Sequence, residues 1–190
     1  MAEPAQAETR YTAESYFGLV DAGVLRPDDR VELLEGVIVA MSPQTVRHAS
    51  AIRRVYRALR EAIGPRAVIS VQLPFLTGAH SVPEPDLAVV PGRESDYDNV
   101  HPTTAHLIVE AADSSLLQDR LTKAAIYAAG GAPEYWILNL RDDVVEVFRR
   151  PDPATRRYLE NTTVRRGERL ALVAFPDANV AVDDLLPGRA

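Results

Sequence analysis

Apolar positions along this chain follow two rhythms: a helical one, and short continuous runs bounded by proline, glycine or an acid. Thr12 caps a predicted helix reaching about Ala22, with Tyr16, Leu19 and Val20 facing inward, and Gly23 and Pro27 break it. Arg30–Leu34 and Val37–Met41 flank Glu35 and Gly36 and predict a hairpin. From Thr45 to Ile63, the positions Ile52, Val55, Tyr56, Leu59 and Ile63 recur at helical spacing, with Arg47, Arg53, Arg54, Arg57 and Arg60 on their flanks. Strands are expected at Ala67–Val71, Pro74–Thr77, Leu87–Val90 and Leu107–Val109, with a polar loop from Pro91 to Thr104. Ser115 and Gln118 have capping-box spacing and open a helix to about Ala129, whose expected buried stripe is Leu117, Leu121, Ala124 and Ala128. Gly130 and Gly131 stop it. Glu134–Leu140 and Val144–Phe148 predict a second hairpin. Tyr158-Leu159, Leu170–Val173 and Val180–Val182 read as edge strands, and Asp183–Leu186 as a closing turn.

Strands interleaved with two long helices predict an α/β fold of the mixed, α+β kind: a central mixed sheet flanked by helices, with extra hairpins. Residues 1–10 are small and polar and are expected to be disordered, leaving one domain over 11–190.

Composition narrows the chemistry. With no cysteine, disulfides, thiolate metal sites and cysteine nucleophiles are excluded together. A net charge of −6 argues against non-specific coating of nucleic acid, though a local basic patch remains compatible with it. The absence of a membrane-length apolar run or a signal-peptide pattern leads us to expect a cytoplasmic protein. Lys123 is the only lysine, against a background of arginines.

Asp86 stands at the entrance of one apolar run and Glu110 at the exit of another. A carboxylate at the lip of a buried strand must be solvated, paired or metal-bound. Taken singly, such acids are often solvated strand ends, but Pro85 fixes the backbone just before Asp86 and stiffens its carboxylate. Two carboxylates on neighbouring strands suit Mg²⁺, which needs only one or two from the protein. Lys123 lies one helical turn after Asp119 and one before Tyr127. The spacing fits a surface ion pair as well as an ammonium leaning toward Glu110. Glu35 reads as a turn residue, His48 as a helix-surface histidine, and the arginine flank as either a solvated face or a phosphate track. His101 and His106 lack a third metal ligand. No phosphate loop, nucleophile elbow or zinc motif is present.

The ordered series of segments resembles the Uma2 family (DUF820) of restriction-type endonucleases. It comprises Val31–Pro43, Arg47-His48, Pro85-Asp86-Leu87, Ile108-Val109-Glu110, then Asp119, Lys123, Tyr127 and Gly131–Trp136. The resemblance spans roughly Tyr11 to Leu186. It implies the PD-(D/E)XK nuclease-like fold, with Pro85-Asp86 as the PD element and Glu110 as the (D/E) element, both holding Mg²⁺ or Mn²⁺. Glu35 would be the additional acid near the site, with His48, Asp119 and Tyr127 in support. Ala112 stands where the motif's lysine belongs, and Lys123 on the following helix takes that place.

The expected activity is therefore metal-dependent hydrolysis of DNA phosphodiester bonds by Asp86, Glu110, Lys123 and Glu35. Arg47, Arg53, Arg54 and Arg57 would contact the DNA backbone, and a homodimer is expected because many nucleases of this fold cut both strands as dimers. A catalytically silent module of the same fold is the alternative, and a metal hydrolase of a small phosphorylated substrate is a third.

Overall fold

A computed structural model describes residues 10–26 and 28–188. The expected disordered tail lies outside them except for Arg10, and so does Pro27. Helix α1 (Ala13–Asp21) opens on a capping box in which Thr12 and Ser15 bond each other's backbone N–H. Tyr16 is buried, whereas Val20, expected to face inward, is exposed. Strands β1 (Val31–Leu34) and β2 (Val37–Ala40) form the expected hairpin. Glu35 and Gly36 turn it with left-handed backbones, φ 52° and 83°. A β-carbon at Gly36 would meet Arg10 Cβ at 2.7 Å, so glycine is required there for space as well as for conformation.

Most of the remaining apolar runs build one six-stranded sheet. Its strands, in spatial order, are β3 (Val68–Val71), β4 (Leu87–Val90), β5 (Leu107–Ala112), β6 (Glu134–Asn139), β7 (Val144–Asp152) and β8 (Arg157–Arg165). Only β5 and β6 pair in parallel, across the helix that connects them; the other neighbours are antiparallel. Both parallel strands are buried along their whole length, which explains their continuous rather than alternating apolar sequence. Pro74–Thr77 is not a strand. Phe75 and Leu76 bond instead to Pro83 and Pro102 in an irregular crossing, where Phe75 is buried.

Helix α2 (Val46–Ile63) covers one face of the sheet, placing Ile52, Val55, Leu59 and Ile63 against Leu87, Val89, Leu107, Val109, Trp136 and Leu138. Tyr56, expected in this stripe, is exposed; Ala51 and Ala58 take its place and allow close approach. The pair β9 (Arg169–Ala171) and β10 (Asn179–Ala181) completes this layer beside a short terminal helix, Val182–Leu185.

The other face is covered by a helix over residues 116–129. It consists of α3 (Leu116–Gln118), a π-helical turn (Asp119–Lys123) and α4 (Ala124–Ala129). Ile126 and Tyr127 pack on Ala88, Val90, Ile108, Tyr135 and Ile137. Each large side chain buried here contributes about 1.5–3 kcal/mol. The expected stripe is wrong at its start, since Leu117 and Leu121 are 72% and 63% exposed. Asp119 and Lys123 are buried instead. The wide π turn breaks the α-helical period on which that expectation rested. No described helix is long and apolar enough to cross a membrane.

Candidate functional site

The ladder between β4 and β5 ends at Leu87 opposite Val109, so the next residues outward are Asp86 and Glu110. Strand β5 continues past Glu110 to Ala112, paired only with β6, and the notch left beside it holds both carboxyl groups. The structure thus brings the two acids together, with Glu110 inside its strand rather than at its exit. Asp86 Oδ2 accepts from the Ala111 N–H at 2.8 Å and lies 2.9 Å from His48 Nε2, which the first turn of α2 brings in. Asp86 Oδ1 accepts from Gln72 Nε2 at 3.1 Å. Glu110 Oε1 accepts from Lys123 Nζ at 3.0 Å and from the Tyr127 hydroxyl at 2.8 Å.

The π turn explains how one helix supplies three buried polar groups. Asp119, Lys123 and Tyr127 recur every four residues, a spacing that drifts around an α-helix and that a wider turn brings back toward one face. Ser115, expected to form a capping box with Gln118, instead donates to Asp119 Oδ2 at 2.6 Å. Tyr135 donates its hydroxyl to the Asp119 carbonyl at 3.2 Å. Ala112 lies two residues beyond Glu110 and so on the same face of β5, the face this helix covers. A lysine there would lie beneath the helix that delivers Lys123.

A fourth acid completes the cluster. Glu32, in the middle of β1, is buried, and its Oε2 lies 3.1 Å from Lys123 Nζ and accepts from the Glu84 N–H at 3.2 Å. Glu32, Asp86, Glu110, Asp119 and Lys123 line one cavity of about 50 Å³, together with Arg30, Glu84, His48 and Gln118. Burial pushes the Glu110 carboxyl well above the usual carboxylate range, and Asp86, Asp119 and Glu32 add to this against the pull of Lys123. Burial likewise raises Asp119 to about 6, opposed by Lys123 and the Ser115 bond. Glu84 is raised by burial and by Glu32. Burial works against the Lys123 charge, but Glu110, Glu32 and Asp119 outweigh it and hold the ammonium above the ordinary lysine value. Tyr127 is raised by burial and by Glu110, which keeps its hydroxyl a donor.

Of the other sequence-derived candidates, Glu35 does not belong to the cluster. It projects from the hairpin turn, half exposed, in an ion pair with Arg156. The hairpin turn carries it away from the face on which Glu32 points inward. Arg47 donates to the Leu140 and Gly188 carbonyls and ties α2 to the fold, and Arg57 pairs with Glu61 and Asp184. None of Arg47, Arg53, Arg54 and Arg57 lines the cavity. His101 stacks on Phe17 and His106 meets Phe175 edge-on, so the two histidines have separate packing partners. The sequence reading missed Glu32 and Gln72. For Glu32 a signal was present: an acid flanked on both sides by the apolar residues of a short strand.

The comparisons agree with this architecture. A family model described as Uma2, putative restriction endonuclease, matches residues 14–183. A crystal structure of a putative nuclease belonging to DUF820 from Anabaena variabilis superposes with a TM-score of 0.73 at 17% identity, covering 92% of this chain and 96% of that one. At that identity the likeness speaks for the fold alone, a mixed central sheet between helices. No curated protein matches this chain.

Proposed function

This chain belongs to the Uma2 family, and from that premise we propose that it is a divalent-metal-dependent endonuclease hydrolysing DNA phosphodiester bonds at the Asp86–Glu110 notch. The observation that carries the proposal is an imbalance of charge. Four buried carboxyl groups, Glu32, Asp86, Glu110 and Asp119, share a cavity with one buried ammonium, Lys123, beside the exposed Arg30 and the His48 ring that bonds Asp86. Uncompensated buried acids are costly, and a cation relieves them. The donor set consists of hard carboxylate oxygens, which suit Mg²⁺ or Mn²⁺. No trio of His, Asp or Glu converges as a ready-made metal cage among the described residues. Mg²⁺ does not require one, because water and substrate phosphate complete its octahedron.

Asp86 and Glu110 would hold the cation, which would supply polarisation of the scissile phosphate and acidification of the attacking water. The protein's own part follows from its hydrogen bonds. Ala111 and His48 fix Asp86, and Tyr127 fixes Glu110. An ammonium has three donors; Lys123 directs two toward Glu110 and Glu32, leaving the third for a phosphate oxygen or the water beside it. The rival reading, a silent module of the same fold, is favoured by that same double engagement of the lysine and by the net charge of −6.

The test is Mn²⁺ and Mg²⁺ calorimetry on the wild type, Asp86→Asn and Glu110→Gln, alongside plasmid nicking. Binding and nicking that both vanish in the variants support the proposal. Binding by the wild type without nicking favours the silent module. Nicking that survives either substitution refutes the assignment of the site.

A further inference from the structure

Gln72 directly follows the last residue of β3 and has a left-handed backbone, φ 51°. Contacts of the β-carbon disfavour that region for an L residue, and glutamine lacks the short side chain that lets asparagine or aspartate occupy it more readily. The conformation has two consequences at one place. The Gln72 N–H lies 3.2 Å from the Pro85 carbonyl and 3.2 Å from the Asp86 carbonyl, clamping the backbone that carries the acid. Its side-chain Nε2 donates to Asp86 Oδ1 at 3.1 Å. Ala111 and His48 both act on the other oxygen, Oδ2. Among the described residues, Gln72 therefore supplies the protein donor on Oδ1, and the Asp86 carboxyl is held from β5, from α2 and from the end of β3.

We propose that Gln72 is a positioning residue for the metal site: it sets the plane of the Asp86 carboxyl so that both oxygens are fixed before a cation arrives. This rests on the reading of Asp86 as a metal ligand. A strained backbone at a point of such convergence is an observed outlier that motivates a functional role. Groups that hydrogen-bond to metal ligands commonly govern affinity by 10–100-fold. The competing account is that Gln72 only turns the chain out of β3.

Gln72→Gly separates the two accounts, because glycine adopts the left-handed backbone without strain but deletes the donor. The expected result is a Mn²⁺ affinity lower by about 10-fold or more in calorimetry, with a melting temperature equal to or above that of the wild type. In nicking assays kcat should fall while KM for DNA is unchanged. Gln72→Asn, which also tolerates the backbone but is one methylene too short, should lose affinity in the same direction. Asp86→Asn is run beside them. If it loses Mn²⁺ while Gln72→Gly binds as tightly as the wild type, the role of Gln72 is overturned and Asp86 stands. If Asp86→Asn binds Mn²⁺ like the wild type, both readings fall.

Discussion

Lys123 Nζ lies 3.1 Å from Glu32 Oε2 and 3.0 Å from Glu110 Oε1, so one ammonium joins the β1–β2 hairpin to the central sheet. All three side chains are nearly excluded from solvent, at 6%, 4% and 5% exposure. Removing the cation leaves two acids buried without it, and breaking a buried pair from one side costs about 3–5 kcal/mol. Lys123→Met should therefore destabilise the metal-free protein by roughly that amount in urea unfolding. Millimolar Mn²⁺ should recover part of the loss, because a second cation then faces the same acids. A variant as stable as the wild type would show that the bridge contributes nothing.

Glu32 and Glu35 are three residues apart and have opposite surroundings. Glu32 is buried against Lys123, while Glu35 is half exposed and paired with Arg156 across the surface. Exposed ion pairs contribute about 0–1 kcal/mol. Glu35→Ala should leave Mn²⁺ affinity and nicking at wild-type levels, whereas Glu32→Gln should change both. A loss of nicking in Glu35→Ala would restore the role that the family resemblance suggested for it.

How much of this site could be read from sequence depended on whether local pattern or tertiary geometry set each position. Pro85-Asp86 and the apolar run before Glu110 mark strand ends that the sheet does bring side by side. The order Asp119, Lys123, Tyr127 marks one helix flank, and that flank is present. Its burial was not legible, because the π turn overrides the α-helical period and turns Leu117 and Leu121 outward. Glu35 enters the site only through the family resemblance, and Glu32 is not singled out because the inward side of a four-residue strand depends on what the hairpin packs against. Gln72 carries no local signal. Its importance lies in a backbone angle and a contact fourteen residues away in sequence.

Asp119 gives the site a pH signature. Its carboxyl is raised to about 6 in the folded protein from an ordinary value of 3.8, chiefly by burial. The folded state therefore binds this proton more tightly than the unfolded chain, and stability is lost as pH rises between those two values. Glu110 and Glu84 are raised as well and act in the same direction, while His106, lowered by burial, opposes these three carboxyls. The metal-free protein should melt at a higher temperature at pH 4.5 than at pH 7, and Asp119→Asn should flatten part of that slope. Added Mg²⁺ should raise the melting temperature more at pH 7 than at pH 4.5, because the cation and protons compete for the same carboxyls. A melting temperature that climbs steadily from pH 4.5 to 7 without metal contradicts the raised carboxyls.

For the proposed DNA substrate, the geometry offers a phosphate-contacting cation other than the α2 arginines. The α2 arginines do not line the carboxyl cavity, but Arg30 does, and among the described residues its exposed guanidinium makes no ion pair within 4 Å. Lys123 holds two acids and keeps one donor, whereas Arg30, which also faces Glu84, is the exposed cation among the residues lining an acidic cavity that otherwise repels phosphate. Loss of one phosphate contact lowers the dependence of log K on log salt by about one. Arg30→Ala should weaken binding to duplexes of unrelated sequence alike and reduce the salt slope by about that amount, with Mn²⁺ affinity unchanged. Arg53→Ala and Arg54→Ala should leave the slope where it was. If those two reduce it and Arg30→Ala does not, the duplex lies along α2 and the arginine flank is the track after all.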